Sequence, residues 1–90
     1  IRALDGRYVF VNRAMANLFD VPIAIWPGKT SRDLMPASLA ADCDYNDRLA
    51  REKNGPVGDR HVWRIAGREL TILATHFPLH CADAQPYAVC

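Results

Sequence analysis

The segment Leu4-Asp-Gly-Arg-Tyr-Val-Phe-Val-Asn-Arg-Ala14 brings together a turn signal, a β-rich run and a candidate helix cap. Asp5-Gly6 is typical of a two-residue hairpin turn, and residues 7–12 favour a strand because they are rich in aromatic and β-branched side chains. Side chains alternate between the two faces of a strand, so the aromatic residues share one face and the valines share the other. Both faces are therefore apolar, and we expect something outside the core to cover the second face.

Helices follow this run. Asn12 is a typical N-cap, and the apolar residues that follow it at helical spacing predict a helix over residues 13–19. The only long helix is predicted over residues 36–53, and Asn54-Gly55 closes it. Its residues divide into two faces when they are placed about 100° apart. The apolar face holds Leu39, Ala40, Cys43, Tyr45, Leu49 and Ala50, and the face that we expect in solvent holds Asp44, Asp47, Arg48, Arg51 and Glu52.

The last third of the chain has the pattern of three strands. Residues 57–65 alternate, with two arginines on one side, which indicates an exposed edge. Ala66-Gly67 turns the chain into a long β-rich run over residues 69–77, and residues 86–90 favour a further strand. The order of elements is two strands, short helices, one longer helix and three strands. It predicts an α+β fold in which a five-stranded antiparallel sheet carries the helices on one face.

Composition excludes several classes of function. Lys and Arg number 11 against 10 Asp and Glu, and a net charge of +1 provides no electrostatic signature for nucleic acid or an anionic membrane. Three cysteines without a CxxC pair form no disulfide framework, so we expect a reducing cytoplasm. The chain runs from Ile1 to Cys90 and ends within an apolar run. We expect residues 1–90 to be a single domain, truncated at both ends from a longer multidomain protein.

The ordered set of motifs resembles the PAS sensory domain. The segment 4–14 is similar to the opening hairpin of that family and to the asparagine that caps its first helix. The likeness spans almost the whole chain, although the family's DIT-type ending and the glycine after its fourth strand are both missing. The other matching segments are Asn17-Leu-Phe19, Gly28-Lys-Thr30, Asp33-Leu-Met-Pro36, Asn54-Gly55 and Phe77-Pro-Leu79.

The resemblance implies a PAS-like fold and a cytoplasmic signal-input module, similar to those of bacterial histidine kinases, two-component systems and diguanylate cyclases. Such a module is not an enzyme itself, and it acts on an output domain further along the parent chain. Flavin-binding members carry a GxNCRFLQ-like motif, which the surroundings of Cys43 do not match. Haem-binding members usually offer a histidine from the long helix, and residues 36–53 contain none. We therefore expect neither flavin nor haem, and no other cofactor.

Candidate ligand-binding residues lie on the long helix and on the last strands. Asn46 is near the centre of the apolar helix face and Asp42 is just inside its edge, where polar groups need partners. Either they reach a small ligand between helix and sheet, or Asn46 bonds a backbone group or water. The family register implies that Leu73, Thr75 and Phe77 point inward. The candidate pocket therefore consists of Asn46, Asp42, Cys43, Trp63, Leu73, Thr75, Phe77 and Ala88.

The reactive residue types form no catalytic or metal-binding pattern. His76, His80 and Cys81 lack the spacing of a zinc site and a fourth ligand. A cysteine nucleophile needs a histidine base and an oxyanion site, whereas Cys43 has the position of a small apolar filler. The glycine-rich nucleotide motifs and the GxSxG motif are missing from the sequence. We expect no bound metal and no enzymatic activity.

Two functions remain open. The first is a sensor that binds a small molecule between the long helix and the sheet and passes its state to an output domain. The second is a ligand-free dimerisation or protein-interaction module, for instance in a transcriptional regulator. Strands that are apolar on both faces favour the second function, because an apolar sheet face has to be shielded from solvent. We expect a homodimer through a sheet face or a flanking helix, and no contact with nucleic acid or membrane.

Overall fold

The computed structural model of the chain describes residues 1–65, 67–79 and 87–89. These ranges form an α+β arrangement, as the sequence predicts, with helices in the first part and strands in the second. The helices are α1 (Arg13–Phe19), α2 (Ser31–Leu34) and α3 (Ala37–Lys53), with a 3-10 turn at Ile23–Ile25 between the first two. The strands are β1 (Val57–Ile65), β2 (Arg68–Leu79) and β3 (Tyr87–Val89).

The prediction of a five-stranded PAS-like sheet is wrong. The described residues contain one three-stranded antiparallel sheet in the order β1-β2-β3. Within the described ranges, the N-terminal hairpin forms two isolated bridges, between Arg2 and Tyr8 and between Arg7 and Thr30. The reason is local. The backbone N–H of Tyr8 donates to the carbonyl of Lys29 at 2.8 Å, and the Tyr8 carbonyl accepts from the N–H of residue 28 at 2.9 Å. The loop before α2 therefore takes the backbone groups that a sheet neighbour would need.

The predicted helix caps are confirmed. Oδ1 of Asn12 accepts the backbone N–H of Met15 at 2.9 Å, which begins α1. Helix α3 follows Pro36 and ends at Asn54, whose φ of 53° is left-handed. Asparagine tolerates this conformation better than most residues, and it ends the helix without a glycine at that position.

The two long strands pair through their whole length and so share their faces. Trp63 pairs with Leu70, and Val57 pairs with His76. Side chains of directly paired residues lie on the same side of an antiparallel sheet. Because Trp63 is buried, the even-numbered residues of β2 also face α3, including Ala74 at 5% exposure.

The prediction that Leu73, Thr75 and Phe77 point inward is therefore wrong. The even-numbered residues of β2 point inward instead, so the prediction is shifted by one residue. Leu73 is 81% exposed and Phe77 is 40% exposed. A strand that is apolar on both faces does not reveal which face is inside, because hydrophobicity marks the buried side only when the other side is polar.

The core lies between α3, the sheet and the N-terminal hairpin. Trp26 is fully buried and packs edge-on against Tyr8, with ring centroids 4.9 Å apart. Its indole N–H donates to the carbonyl of Val21 at 3.1 Å. Helix α3 buries Leu39, Ala40, Cys43 and Ala50 as its sequence predicts, whereas Tyr45, which the sequence also places in the apolar arc, is 54% exposed.

Helix α2 begins with a capping box formed by Thr30 and Asp33. Oδ2 of Asp33 accepts the backbone N–H of Thr30 at 2.9 Å and the Thr30 hydroxyl at 3.1 Å. These two hydrogen bonds, the backbone one first, hold the pKa of Asp33 below its ordinary value of 3.8. The folded state therefore binds this proton less readily than the unfolded state. The resulting stabilisation is present above pH 3.8 and is lost as the pH falls through the lowered pKa.

We predict that Asp33→Asn lowers the free energy of unfolding at pH 7 and weakens its loss on acidification, because the amide carries no charge to titrate. Urea unfolding at pH 7, 5 and 3 measures both effects. Asp20→Asn is the control, since Asp20 has a left-handed φ of 55° that asparagine also adopts. A variant with wild-type stability at all three pH values would contradict the assignment.

Candidate functional site

A buried ionic cluster joins the start of the chain to α3 and β2. Arg2 is 3% exposed, and Nη2 of its guanidinium pairs with Oδ2 of Asp47. The other carboxylate oxygen of Asp47 lies 2.6 Å from Nδ1 of His76, which is 1% exposed. Both oxygens of one buried carboxylate thus have partners. Charges are tolerated in a protein interior when they are paired and hydrogen-bonded in this way.

The same guanidinium also binds the neighbouring helices. Nη1 of Arg2 donates to the Ser31 hydroxyl at 2.8 Å and to Oδ1 of Asp44 at 3.2 Å. Nη2 donates to the carbonyl of Cys43 at 3.2 Å. The guanidinium carbon lies 5.5 Å from the centre of the Tyr8 ring, a cation–π distance. One side chain therefore fastens the N-terminal hairpin to α2 and α3.

Asp47 is the residue of this ionic cluster that sequence reasoning missed. The prediction placed it on the solvent face of α3, but it is 5% exposed. A signal was present, because Cys43, Asp47 and Ala50 are spaced by four and three residues and so share one helix face. Its partners lie 45 residues before it and 29 residues after it by sequence number, and no helical spacing could have found them.

A cavity of about 560 Å³ opens beside this cluster, between the N-terminal segment, α1 and the sheet. This volume lies within the usual range for small-molecule sites of about 300–1,000 Å³. Arg2 and Tyr8 form part of one wall. The apolar wall includes Val11, Met15, Leu18, Cys43, Trp63 and Ile72.

Trp63 is the distinctive residue of this cavity. It is 5% exposed, and it stacks on the ring of His61 with centroids 5.6 Å apart and planes 24° apart. Its Nε1 is the one fully buried side-chain nitrogen or oxygen of the described part of the chain that has no hydrogen-bond partner. A buried N–H without an acceptor costs about 1–3 kcal/mol. The atom itself has almost no accessible surface, so this unpaired donor lies behind the cavity wall, which another part of the Trp63 side chain forms.

The predicted pocket residues divide into two groups. Cys43, Trp63, Leu73 and Thr75 contribute to the cavity wall, the last two from their stretch of β2. The remaining candidates, Asn46, Asp42, Phe77 and Ala88, do not belong to the described lining of this cavity.

Asn46 and Asp42 contact His61 instead. Nδ2 of Asn46 lies 3.2 Å from Nε2 of His61, and Oδ2 of Asp42 lies 3.8 Å from Nδ1 of the same ring. Asn46 is 5% exposed. This buried amide of the apolar helix face has the His61 side chain as its partner. Asn46 and Asp42 together position the imidazole that stacks on Trp63. They therefore lie behind the cavity wall and not in it.

The other two candidates lie elsewhere. Phe77 lines a shallow surface depression together with Asn54 and Pro56. Ala88 belongs to β3 and pairs with Pro78 through the backbone. Neither contributes a described side chain to the cavity beside Arg2.

The described residues contain no group of three His, Cys, Asp or Glu side chains that could hold a metal ion. His76 is bonded to Asp47, while His80 and Cys81 lie outside the described residues. Helices able to cross a membrane, by length and apolar character, are also missing from the ranges that the structure describes.

Comparison of the chain with models of protein families, with curated proteins and with solved structures finds no match.

The ionic cluster provides a stability test. We predict that Asp47→Asn lowers the free energy of unfolding by about 3 kcal/mol, because it removes the charge that faces a buried guanidinium. Asp44→Asn is the matched control. The Asp44 side chain is 44% exposed, so its loss should cost less than about 1 kcal/mol. Urea unfolding of both variants measures the difference, and equal losses would contradict the dominant role of Asp47.

Proposed function

We propose that this chain is a sensory module that binds a small molecule in the cavity beside Trp63 and acts as a signal-input domain of a bacterial signalling protein. The observation that carries the proposal is a cavity of about 560 Å³ with a largely apolar wall, to which the N-terminal segment, α1, α3 and the sheet all contribute. The PAS-like motifs of the sequence support the signalling part of the proposal. The small and odd number of cysteines supports a cytoplasmic setting.

The arrangement of reactive groups favours binding over catalysis. The polar side chains near the cavity are committed to each other: Arg2 to Asp47 and Asp44, and Asp47 to His76. A catalytic acid or base needs contact with its substrate, and a nucleophile needs an adjacent base. The apolar wall with few polar groups is typical of a site that holds a ligand without transforming it.

A ligand in this cavity would touch elements that are distant in sequence. The wall includes residues of the N-terminal hairpin, of α1, of α3 and of β2. Binding that favours one arrangement of the hairpin against the sheet would shift the population of that arrangement, by no more than the difference in affinity for the two states. The sheet and the chain beyond it would transmit this shift to an output domain.

Native mass spectrometry of the purified chain tests the binding. We expect additional mass that disappears on denaturation, and we expect Trp63→Phe to lower its occupancy, because the smaller ring removes apolar contact area from the cavity wall. Trp26→Phe is the control, since Trp26 is also buried but does not belong to the described cavity lining. Unchanged occupancy in Trp63→Phe would remove the central role of Trp63. Equilibrium dialysis with 2-ethylnaphthalene tests the cavity when no ligand survives purification.

A second candidate function is dimerisation through the outer face of the sheet. Leu73 and Val62 are 81% and 61% exposed on the face away from α3, and Phe77 continues this face at 40%. Large exposed apolar side chains on one sheet face are typical of an interaction surface. Arg60, which pairs with Leu73, and Arg64 lie on the same face and would belong to its charged part. A second copy of the chain would cover them face to face.

We expect Leu73→Glu to shift a sheet-face dimer to monomer, because it places a charge at the centre of that face. Ile25→Glu is the control, since Ile25 is also exposed, at 46%, but lies in the 3-10 turn outside the sheet. Analytical ultracentrifugation of the wild type and both variants measures the result. A dimer that persists in Leu73→Glu, or a wild type that is monomeric, would contradict this second function.

A further inference from the structure

We propose that Asn54 is a site of spontaneous deamidation and that the closed end of helix α3 controls the rate of this reaction. The inference goes beyond the proposed function and does not depend on it. Asn54 is followed by Gly55, and no other asparagine of the sequence precedes a glycine. Asn54 is also exposed in the folded chain, so water reaches the site.

The reaction takes place between two neighbouring residues. The backbone nitrogen of Gly55 loses its proton and attacks the side-chain carbonyl carbon of Asn54, which forms a C–N bond and releases ammonia. Water then opens the resulting five-membered succinimide ring at one of its two carbonyl carbons. Attack at the side-chain carbonyl gives aspartate, and attack at the main-chain carbonyl gives isoaspartate. In total one water is consumed and one ammonia is released. Glycine favours the first step because it has no Cβ to obstruct the attack.

The conformation of Asn54 in the folded chain opposes this ring closure. Closure requires Cβ of Asn54 and the nitrogen of Gly55 to lie on the same side of the Cα–C bond of Asn54. The ψ angle of Asn54 is 44°, and in an L-residue this angle places the two atoms on opposite sides of that bond. Asn54 must therefore leave its left-handed conformation before it reacts.

Two backbone hydrogen bonds hold Asn54 in that conformation. Its N–H donates to the carbonyl of Arg51 at 3.2 Å, and the N–H of Gly55 donates to the carbonyl of Ala50 at 3.2 Å. The second bond also engages the nitrogen that has to attack. Ala50 is 1% exposed, so its carbonyl is fixed by the packing of the core. The reaction therefore requires the last turn of α3 to open, and local openings of this kind have their own free energy.

Deamidation would weaken the junction between α3 and the sheet. The new carboxylate lies at the C-terminus of the helix, where the helix dipole is already negative. Isoaspartate also adds one CH₂ group to the backbone, which disturbs the spacing of both hydrogen bonds. Strand β1 begins at Val57, directly after this junction.

Incubation of the purified chain at pH 8, followed by peptide mass spectrometry, measures the rate at each asparagine. We expect Asn54 to react faster than Asn12, Asn17 and Asn46, whose next residues all carry side chains. We expect the rate at Asn54 to rise at least about tenfold when urea unfolds the chain, because unfolding releases both the ψ angle and the attacking nitrogen. This comparison needs no variant.

Gly55→Ala tests the chemistry of the site. We expect this substitution to suppress the reaction strongly in the folded and in the unfolded chain, because a methyl group obstructs the attack. The folded chain has room for it, since the nearest atom to a Cβ at this position would be the carbonyl oxygen of Lys53 at 4.0 Å.

A pair of glycine substitutions in α3 tests the control by the helix end. Glu52→Gly, in the last turn, should accelerate deamidation of the folded chain about fivefold, the effect of one interior glycine on a local helical equilibrium. Ala41→Gly is the matched control, because Ala41 is also exposed but lies near the start of α3. It should leave the rate at Asn54 close to that of the wild type.

Three results would overturn the inference. Equal rates at Asn54 in the folded and the unfolded chain would show that the structure does not control the reaction. Equal acceleration by Glu52→Gly and Ala41→Gly would show that global unfolding, and not the end of α3, sets the rate. Modification that continues unchanged in Gly55→Ala would show that Asn54 is not the reacting residue.

Discussion

The contact between Arg2 and Asp47 is the interaction on which the arrangement of this domain depends. Among the described residues, the hairpin that carries Arg2 forms isolated bridges and no strand of the three-stranded sheet. Backbone hydrogen bonds join it to the loop before α2, whereas its described bonds to α3 come from the side chain of Arg2. One buried guanidinium reaches α2, three positions of α3 and, through Asp47, the imidazole of His76 on β2. Because the charges are desolvated, removing one partner leaves the other uncompensated, and the cost is large.

The cavity lies beside this attachment. The hairpin is held at Arg2 and by the loop before α2, and a space of about 560 Å³ lies beside α1 and the sheet. The cluster also affects the chemistry of that space, because Arg2 reaches the wall with its charge already faced by Asp47 and Asp44. The binding site that we propose is therefore bounded by the same contacts that fasten the hairpin.

Local signals predicted the helices and the last strands well, whereas the strand predicted over residues 7–12 is wrong and has isolated bridges in its place. The N-cap at Asn12, the end of α3 at Asn54 and the bounds of β1 depend on a few neighbouring residues, and each agrees with the structure. Non-local features were not predictable in the same way. The inward face of β2 depends on its register with Trp63, since both faces of the strand are apolar.

The candidate site also combines local features, which the sequence indicates, with non-local contacts, which it does not. Cys43 and Trp63 belong to the cavity wall as the sequence pattern suggested, and Asn46 supports the wall through His61 instead of lining it. Asp47 resembled a surface residue because i,i+4 charge pairing within α3 offered it a partner in Arg51. The structure pairs it with Arg2 and His76, which no pattern within the helix could indicate.

A double-mutant cycle between Arg2 and Asp47 tests this account most directly. The free energy of unfolding would be measured for the wild type, Arg2→Met, Asp47→Asn and the double variant. If the two side chains form the buried pair that fastens the hairpin, the second substitution costs much less once the first is present, with a coupling of about 1–3 kcal/mol. Effects that add to within about 0.5 kcal/mol would show that the two residues act independently, and would contradict the account.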